Sequence, residues 1–116
     1  MFKSMPKIKE IIIEKFDMTR VTSMEEMFMD CPNLQRITFI DCDMTSVETM
    51  AKMCYNCTVL REIKFIRCKL NIMCDYWNMF SKCPLMESIT VPLEIYHSIL
   101  AATPELEFKP PIWNSA

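Results

Sequence analysis

The stretch PNLQRITFIDCDMTSVETMAKMCYNC, residues 32–57, changes its period halfway along. Leu34, Ile37 and Phe39 lead into an I-x-F alternation, the period of two that suits a short strand. Val47, Met50, Met53 and Cys54 then fall at helical spacing. Thr45 and Glu48 stand in the capping-box relation, and Thr22 with Glu25 repeats it. The unit therefore predicts a strand, a turn and a short helix leading back.

The neighbouring stretches say the same thing again. Residues 6–31 (PKIKEIIIEKFDMTRVTSMEEMFMDC) and 58–83 (TVLREIKFIRCKLNIMCDYWNMFSKC) are also 26 residues long, and PLMESITV, residues 84–91, begins a fourth unit. The strand halves align in columns: Ile8, Leu34, Leu60 and Met86; Ile11, Ile37, Ile63 and Ile89; Ile13, Phe39, Phe65 and Val91. Phe16 shares a column with Cys42 and Cys68, Val21 with Val47 and Met73, and Met24 with Met50 and Tyr76. Met27, Met53 and Met79 follow, then Phe28, Cys54 and Phe80, and the closing Cys31, Cys57 and Cys83. One such unit cannot bury its apolar face alone. Stacking units in register makes a continuous core with the strands in a parallel sheet.

The expected fold is thus an α/β solenoid in one domain, residues 1–116, with short helices on the convex side. Residues 92–116 read as a C-terminal cap. Within it, PLEIYHSILAATP predicts a longer helix stopping before Pro104, and ELEFKPPIW an extended segment whose Trp113 folds back on the open end. At the other end only Met1, Phe2 and Met5 precede the first strand, which is a thin cap. The first strand, KEIIIEK, then has an open edge flanked by charges, a place to dimerise or to dock a partner.

Composition narrows the function classes. Glycine is absent and methionine occurs 12 times. Without glycine no phosphate-cradling loop can form, and every turn must be made by Asn, Asp, Pro or ordinary residues. The net charge of -2 gives no electrostatic footprint for nucleic acid or an anionic membrane. No apolar run approaches the ~20 residues of a membrane span. The N-terminal stretch scatters charges through a short apolar run and does not read as a signal peptide. The seven cysteines therefore read as reduced thiols of a cytoplasmic protein.

The reactive residues give no catalytic constellation. Cys54 and Cys57 form a C-x-x-C, and zinc would need four converging ligands. Cys54 alternates with phenylalanines, which marks a core hydrophobe. Cys74 lies off the apolar columns and is the expected exposed thiol. A cysteine nucleophile would need a base. The one histidine, His97, lies on the terminal helix as a surface residue. No enzyme activity, cofactor or metal is expected.

The columns also carry a resemblance. The L-x-x-I-x-F-x-x-C-x-M of Leu34, Ile37, Phe39, Cys42 and Met44 is similar to the leucine-rich-repeat signature. More closely, Phe16, Asp17, Thr19, Val21, Met24, Met27, Phe28, Cys31, Leu34, Ile37 and Phe39 resemble the 26-residue unit of the BspA-like repeats of bacterial and protist surface antigens. The second unit keeps Asp43, Val47, Met50, Met53 and Cys57, and the third keeps Met79, Phe80 and Cys83. The cysteine-containing leucine-rich repeats of F-box-type receptors share the length and the Cys42-to-Cys57 distance, but lack the M-x-x-M-F. The resemblance implies a curved solenoid that binds proteins or surfaces, without catalysis.

In that architecture the concave face carries Ile12, Glu14, Arg36, Thr38, Ile40, Asp41, Glu62, Lys64, Ile66 and Arg67 as the expected partner-binding residues. Isoleucines on an otherwise charged face are candidate anchors. The convex side, with Arg20, Glu25, Glu26, Asp30, Lys52 and Lys82, reads as solvated, with Met29 and Tyr55 protruding. The leading expectation is a small intracellular binder or inhibitor of a larger protein. The AT-rich flavour of the composition fits a bacterial, phage or viral inhibitor of a host defence enzyme. A relative of a surface adhesin and a zinc-binding module are the alternatives.

Overall fold

The structure, a computed structural model, describes residues 2–103 and the backbone of residues 112–114. The period-two stretches become strands: β1 (Glu10–Glu14), β2 (Arg36–Ile40), the short β3 (Asp43–Met44), β4 (Glu62–Ile66), the short β5 (Lys69–Leu70) and β6 (Ser88–Thr90). A helix α1 (Leu93–Ala102) and a last strand β7 (Ile112–Asn114) follow. β1, β2, β4, β6 and β7 lie in that order in one sheet, and all neighbours are parallel. The register follows the repeat, with Ile11 beside Ile37, Ile37 beside Ile63, and Ile63 beside Ile89. β3 pairs with β5, and Ser23, Thr49 and Asp75 bridge in sequence. Each coil is therefore joined to the next at several points around its circumference.

The aligned columns fill the space inside. Phe28, Leu34, Ile37, Phe39, Met44, Met50, Met53, Leu60, Ile63, Phe65, Met79 and Phe80 are buried. Phe39 stacks on Phe65 at 5.1 Å, Phe28 tilts against Phe39 at 6.4 Å, and Phe2 stacks on Phe28 at 5.5 Å. The closing cysteines add a ladder of their own. The thiols of Cys31, Cys57 and Cys83 each donate to a carbonyl of the previous coil, those of Phe2, Phe28 and Cys54, at 3.0 Å.

The returning segments are not the short helices expected on the convex side. Residues 25–30, 51–56 and 77–82 are runs of turns, and α1 is the one α-helix among the described residues. The amides there alternate between two targets. Met27 N donates to Met24 O at 3.3 Å and Met29 N to Glu26 O at 3.2 Å, within the turn. Between them, Glu26 N, Phe28 N and Asp30 N donate to Ala51, Met53 and Tyr55 of the next coil at 3.1, 2.8 and 3.0 Å. A helix would keep all these amides to itself; here half of them join coil to coil. The expected capping boxes give way to Asx-type turns. Thr19 and Thr45 donate from both amide and hydroxyl to Asp17 and Asp43.

The backbone achieves this with left-handed residues in three columns. Ser4, Asp30, Asn56 and Lys82 form one, Lys15, Asp41 and Arg67 another, and Glu26, Lys52 and Asn78 the third, with φ between 50° and 61°. Glycine would adopt this region without a steric cost, yet ordinary residues hold every such position, as a glycine-free chain requires. Lys15→Gly is therefore expected to raise the unfolding free energy by a few tenths to about 1 kcal/mol. Lys15→Val should lower it by about 1 kcal/mol or more. Urea titration of the two variants checks both signs.

Three residues depart from their columns. Phe16 is 63% exposed although Cys42 in its column is buried. Met73 is 84% exposed, and Cys74, expected to be the exposed thiol, is buried in its place. For Met73 and Cys74 the cause is a shift of the turn in the third coil. Lys69 stands where Asp17 and Asp43 accept, and a lysine cannot accept. Asn71 does so instead, taking the amide of Met73 at 2.9 Å on its side chain and that of Cys74 at 3.0 Å on its carbonyl. Burial pushes the Cys74 thiol up to about 11, so it stays protonated near neutral pH. Cys68 is the more accessible thiol.

At the N-terminus, Phe2 N and Ser4 N donate to Met27 O and Met29 O at 2.9 and 2.8 Å. Residues 2–5 thus sit as the turn half of a preceding coil, more of a cap than the sequence suggested. At the other end α1 buries Ile95, Tyr96 and Ile99 against the last coil, and Asn78 N reaches Ala102 O at 3.0 Å. The expected helix is present. The extended segment 105–111 and the placement of the Trp113 side chain lie outside the described residues.

Candidate protein-binding face

Alternation along each strand sends every second side chain out of the sheet. The outward set is Glu10, Ile12 and Glu14 on β1, Arg36, Thr38 and Ile40 on β2, Glu62, Lys64 and Ile66 on β4, and Ser88 and Thr90 on β6. The register then makes columns across the face: Glu10, Arg36, Glu62 and Ser88; Ile12, Thr38, Lys64 and Thr90; Glu14, Ile40 and Ile66. Asp41 and Arg67 lie one residue beyond their strands, in left-handed turns. The ten residues expected at a binding face thus come together on one side of one sheet and along its adjoining turn edge.

Charge is arranged in pairs across the columns. Arg36 meets Glu10 at 3.4 Å, Lys64 meets Glu62 at 3.6 Å, and Arg67 clasps Asp41 with two contacts, 2.7 and 3.2 Å. The hydrogen bond from Arg67, helped by its charge, holds the Asp41 carboxyl below the usual carboxylate range. These pairs are exposed, so each adds little stability. Ile40 and Ile66 stand side by side between them, half-buried, and Ile12 is 60% exposed. A shallow recess of about 190 Å³ lies at the edge of the face between Asp41, Cys42, Asp43, Arg67 and Lys69.

Two further features, a cavity and the exposed Trp77, escaped the sequence reading. A cavity of about 340 Å³ opens at the N-terminal end, lined by Phe2, Ile13, Phe16, Met18, Val21, Met24 and Met27 among others. Over the turns, the Lys52 ammonium lies 5.4 Å from the Tyr55 ring and 5.2 Å from Trp77, and Lys82 lies 5.3 Å from Tyr55. Trp77 is 54% exposed, in the column of Glu25 and Ala51, which contains no apolar pattern to flag it.

Among the described residues no three His, Cys, Asp or Glu side chains approach as a metal would require. All seven cysteines are unbridged. Cys54 is buried among core side chains, which pushes its thiol up, while its hydrogen bond lowers that of Cys57. His97 is on the exposed side of α1, its ring edge-on to Tyr96 at 6.1 Å. No helix among the described residues is long and apolar enough to cross a membrane.

Comparison with known protein families matches residues 1–90 to the family described as "Mycoplasma protein of unknown function, DUF285". No curated protein and no solved structure matches.

Proposed function

The chain belongs to the DUF285 family, and on the geometry of its sheet face we propose that it is a non-catalytic binding module that holds another protein against that face. The observation that carries this reading is the pair Ile40 and Ile66, in register on adjacent strands and framed by ion pairs. Apolar anchors ringed by polar and charged groups are what a protein partner can bury at the centre of an interface. The backbone beneath is stitched on several sides, so the anchors are presented already in place.

The module resembles the BspA-like repeats, and its partner is a larger protein whose surface it occludes, which is inhibition by contact. We assign the action to the cell interior, since the seven cysteines, six of them buried, carry no disulfide. An adhesin-like role on an extracellular ligand is the competing reading.

The test substitutes Ile40→Lys together with Ile66→Glu. Beside Glu14 in the same column these keep opposite charges adjacent, so the strands stay paired. Wild-type chain is expected to capture a partner from lysate of the source cells, and the double variant to lose it, with unchanged circular dichroism and thermal midpoint. Equal capture by both proteins sinks the sheet-face reading. Capture only of an extracellular component moves the role to the adhesin class.

A further inference from the structure

Two thiols stand one coil apart where the sheet turns into β3 and β5. Cys42 and Cys68 are flanked on both sides by registered pairs, Ile40 beside Ile66 and Asp43 beside Lys69. Asp41 N donates to Ile66 O at 2.9 Å and Lys69 N to Cys42 O at 3.1 Å, which pins the two coils together at this point. The thiols take equivalent places as well. Cys42 Sγ lies 3.4 Å from Ile40 O and 3.7 Å from Ile13 O, and Cys68 Sγ lies 3.4 Å from Ile66 O and 3.3 Å from Phe39 O. Ile66 and Phe39 are the registered partners of Ile40 and Ile13, one coil on. The two sulfurs are therefore related by one coil spacing, about 4.7–4.9 Å between paired strands.

That spacing decides what the pair can do. A disulfide needs its two Cβ atoms about 3.5–4.5 Å apart, closer than coils in register bring them. Two bonds from sulfur to a metal ion, about 2.3 Å each, span about 4.6 Å. An ion between the sulfurs thus bridges the coils without moving the backbone. The donor set fixes its kind. The neighbouring carboxylates are already engaged, Asp41 by Arg67 and Asp43 by Thr45. No third His, Cys, Asp or Glu joins the pair among the described residues. Two sulfurs in line suit a soft monovalent ion such as Cu(I), whereas zinc takes four ligands.

An ion can also reach them. Cys68 is half-buried, and the recess of about 190 Å³ beside Asp41, Arg67 and Lys69 opens onto Cys42. The other in-register cysteines, Cys31, Cys57 and Cys83, are buried in the core, and each thiol is held 3.0 Å from a carbonyl. Spacing and access coincide at Cys42 and Cys68.

We propose that Cys42 and Cys68 form a binding site for one soft monovalent metal ion of the Cu(I) type, held in line between the second and third coils. Binding replaces two S–H bonds by two sulfur–metal bonds and releases two protons to solvent, and no electron is transferred. The site adjoins the Asp41–Arg67 pair at the edge of the sheet face. It uses neither Ile40 nor Ile66, so it stands or falls separately from the protein-binding reading.

The probe is Cu(I) held by the chromophoric chelator bicinchoninate in anaerobic ascorbate, titrated with the full reduced chain. The chain is expected to withdraw one equivalent of copper, and X-ray absorption to show two sulfur neighbours around it. Cys68→Ser, at the half-buried position, should keep the fold and weaken binding at least about tenfold. Cys42→Ser should do the same. Cys57→Ser, in the other cysteine column, should bind as the wild type does, which separates this pair from a general effect of thiols. If Cys42→Ser unfolds, the Cys68→Ser titration and the absorption spectrum still decide. No withdrawal of copper, three or more sulfur neighbours, or equal binding by Cys68→Ser would each overturn the proposal. So would a Cys42–Cys68 disulfide found by mass spectrometry after mild oxidation with glutathione disulfide, since the spacing argument would then be wrong.

Discussion

Phe39→Ala is expected to lower the unfolding free energy by about 3–5 kcal/mol. Phe39 is fully buried and sits in mid-stack, 5.1 Å from Phe65 and 6.4 Å from Phe28. Its removal takes away the burial of a ring and leaves a void that neighbours on both coils cannot close, because their strands are fixed in register. Domains of this kind are held by only about 5–15 kcal/mol, so the variant should lose a large fraction of its stability. Urea denaturation followed by circular dichroism measures it. A loss below about 1 kcal/mol would mean that the coils slide to refill the space, against the rigid register described above.

Cys57→Ala should cost about 2 kcal/mol, in two parts. One is the cavity left by sulfur at a fully buried site. The other is the carbonyl of Phe28, which loses its 3.0 Å thiol donor. Cys57→Ser separates the two, since it keeps a donor while losing volume, and should recover part of the loss. Equal destabilisation by both variants would show that the thiol contributes packing alone. Chemical denaturation under reducing conditions reads the difference, with Cys68→Ala, at a half-exposed position of the other cysteine column, as the comparison.

The part of the fold legible in the sequence is the part that stacking enforces. A coil buries its apolar face only if Ile37, Ile63 and Ile89 arrive in phase, so the 26-residue columns and the parallel register stand in the letters themselves. The returning segment was less legible, because Met24, Met27 and Phe28 point inward equally well from a helix or from a run of turns. Glycines would have marked the left-handed positions that decide for turns, and the chain has none. Asp30, Asn56, Lys52 and Lys15 hold those positions with nothing in their identities to set all of them apart.

The outward face of the sheet was legible for a similar reason, since strand alternation alone puts Thr38, Ile40, Lys64 and Ile66 outside. The N-terminal cavity was not. Its clue was present: Phe2-x-x-Met5 matches Phe28-x-x-Cys31, the turn half of the repeat. The Cys74 position failed because exposure was inferred from the column, whereas Asn71 moves the turn and carries Cys74 inward.

The alternating amides of the turns have a mechanical consequence. A sheet joined along one face can be peeled strand by strand, each bond breaking in its turn. Here Glu26, Phe28 and Asp30 tie a coil to the next on the side opposite β1 and β2, while Ser23 and Thr49 tie it between. A coil under tension along the stack is thus loaded like a hoop, and yields only when its bonds all round fail together. Such a molecule gives way in steps of one whole ring, and each ring shields the one behind it until it goes.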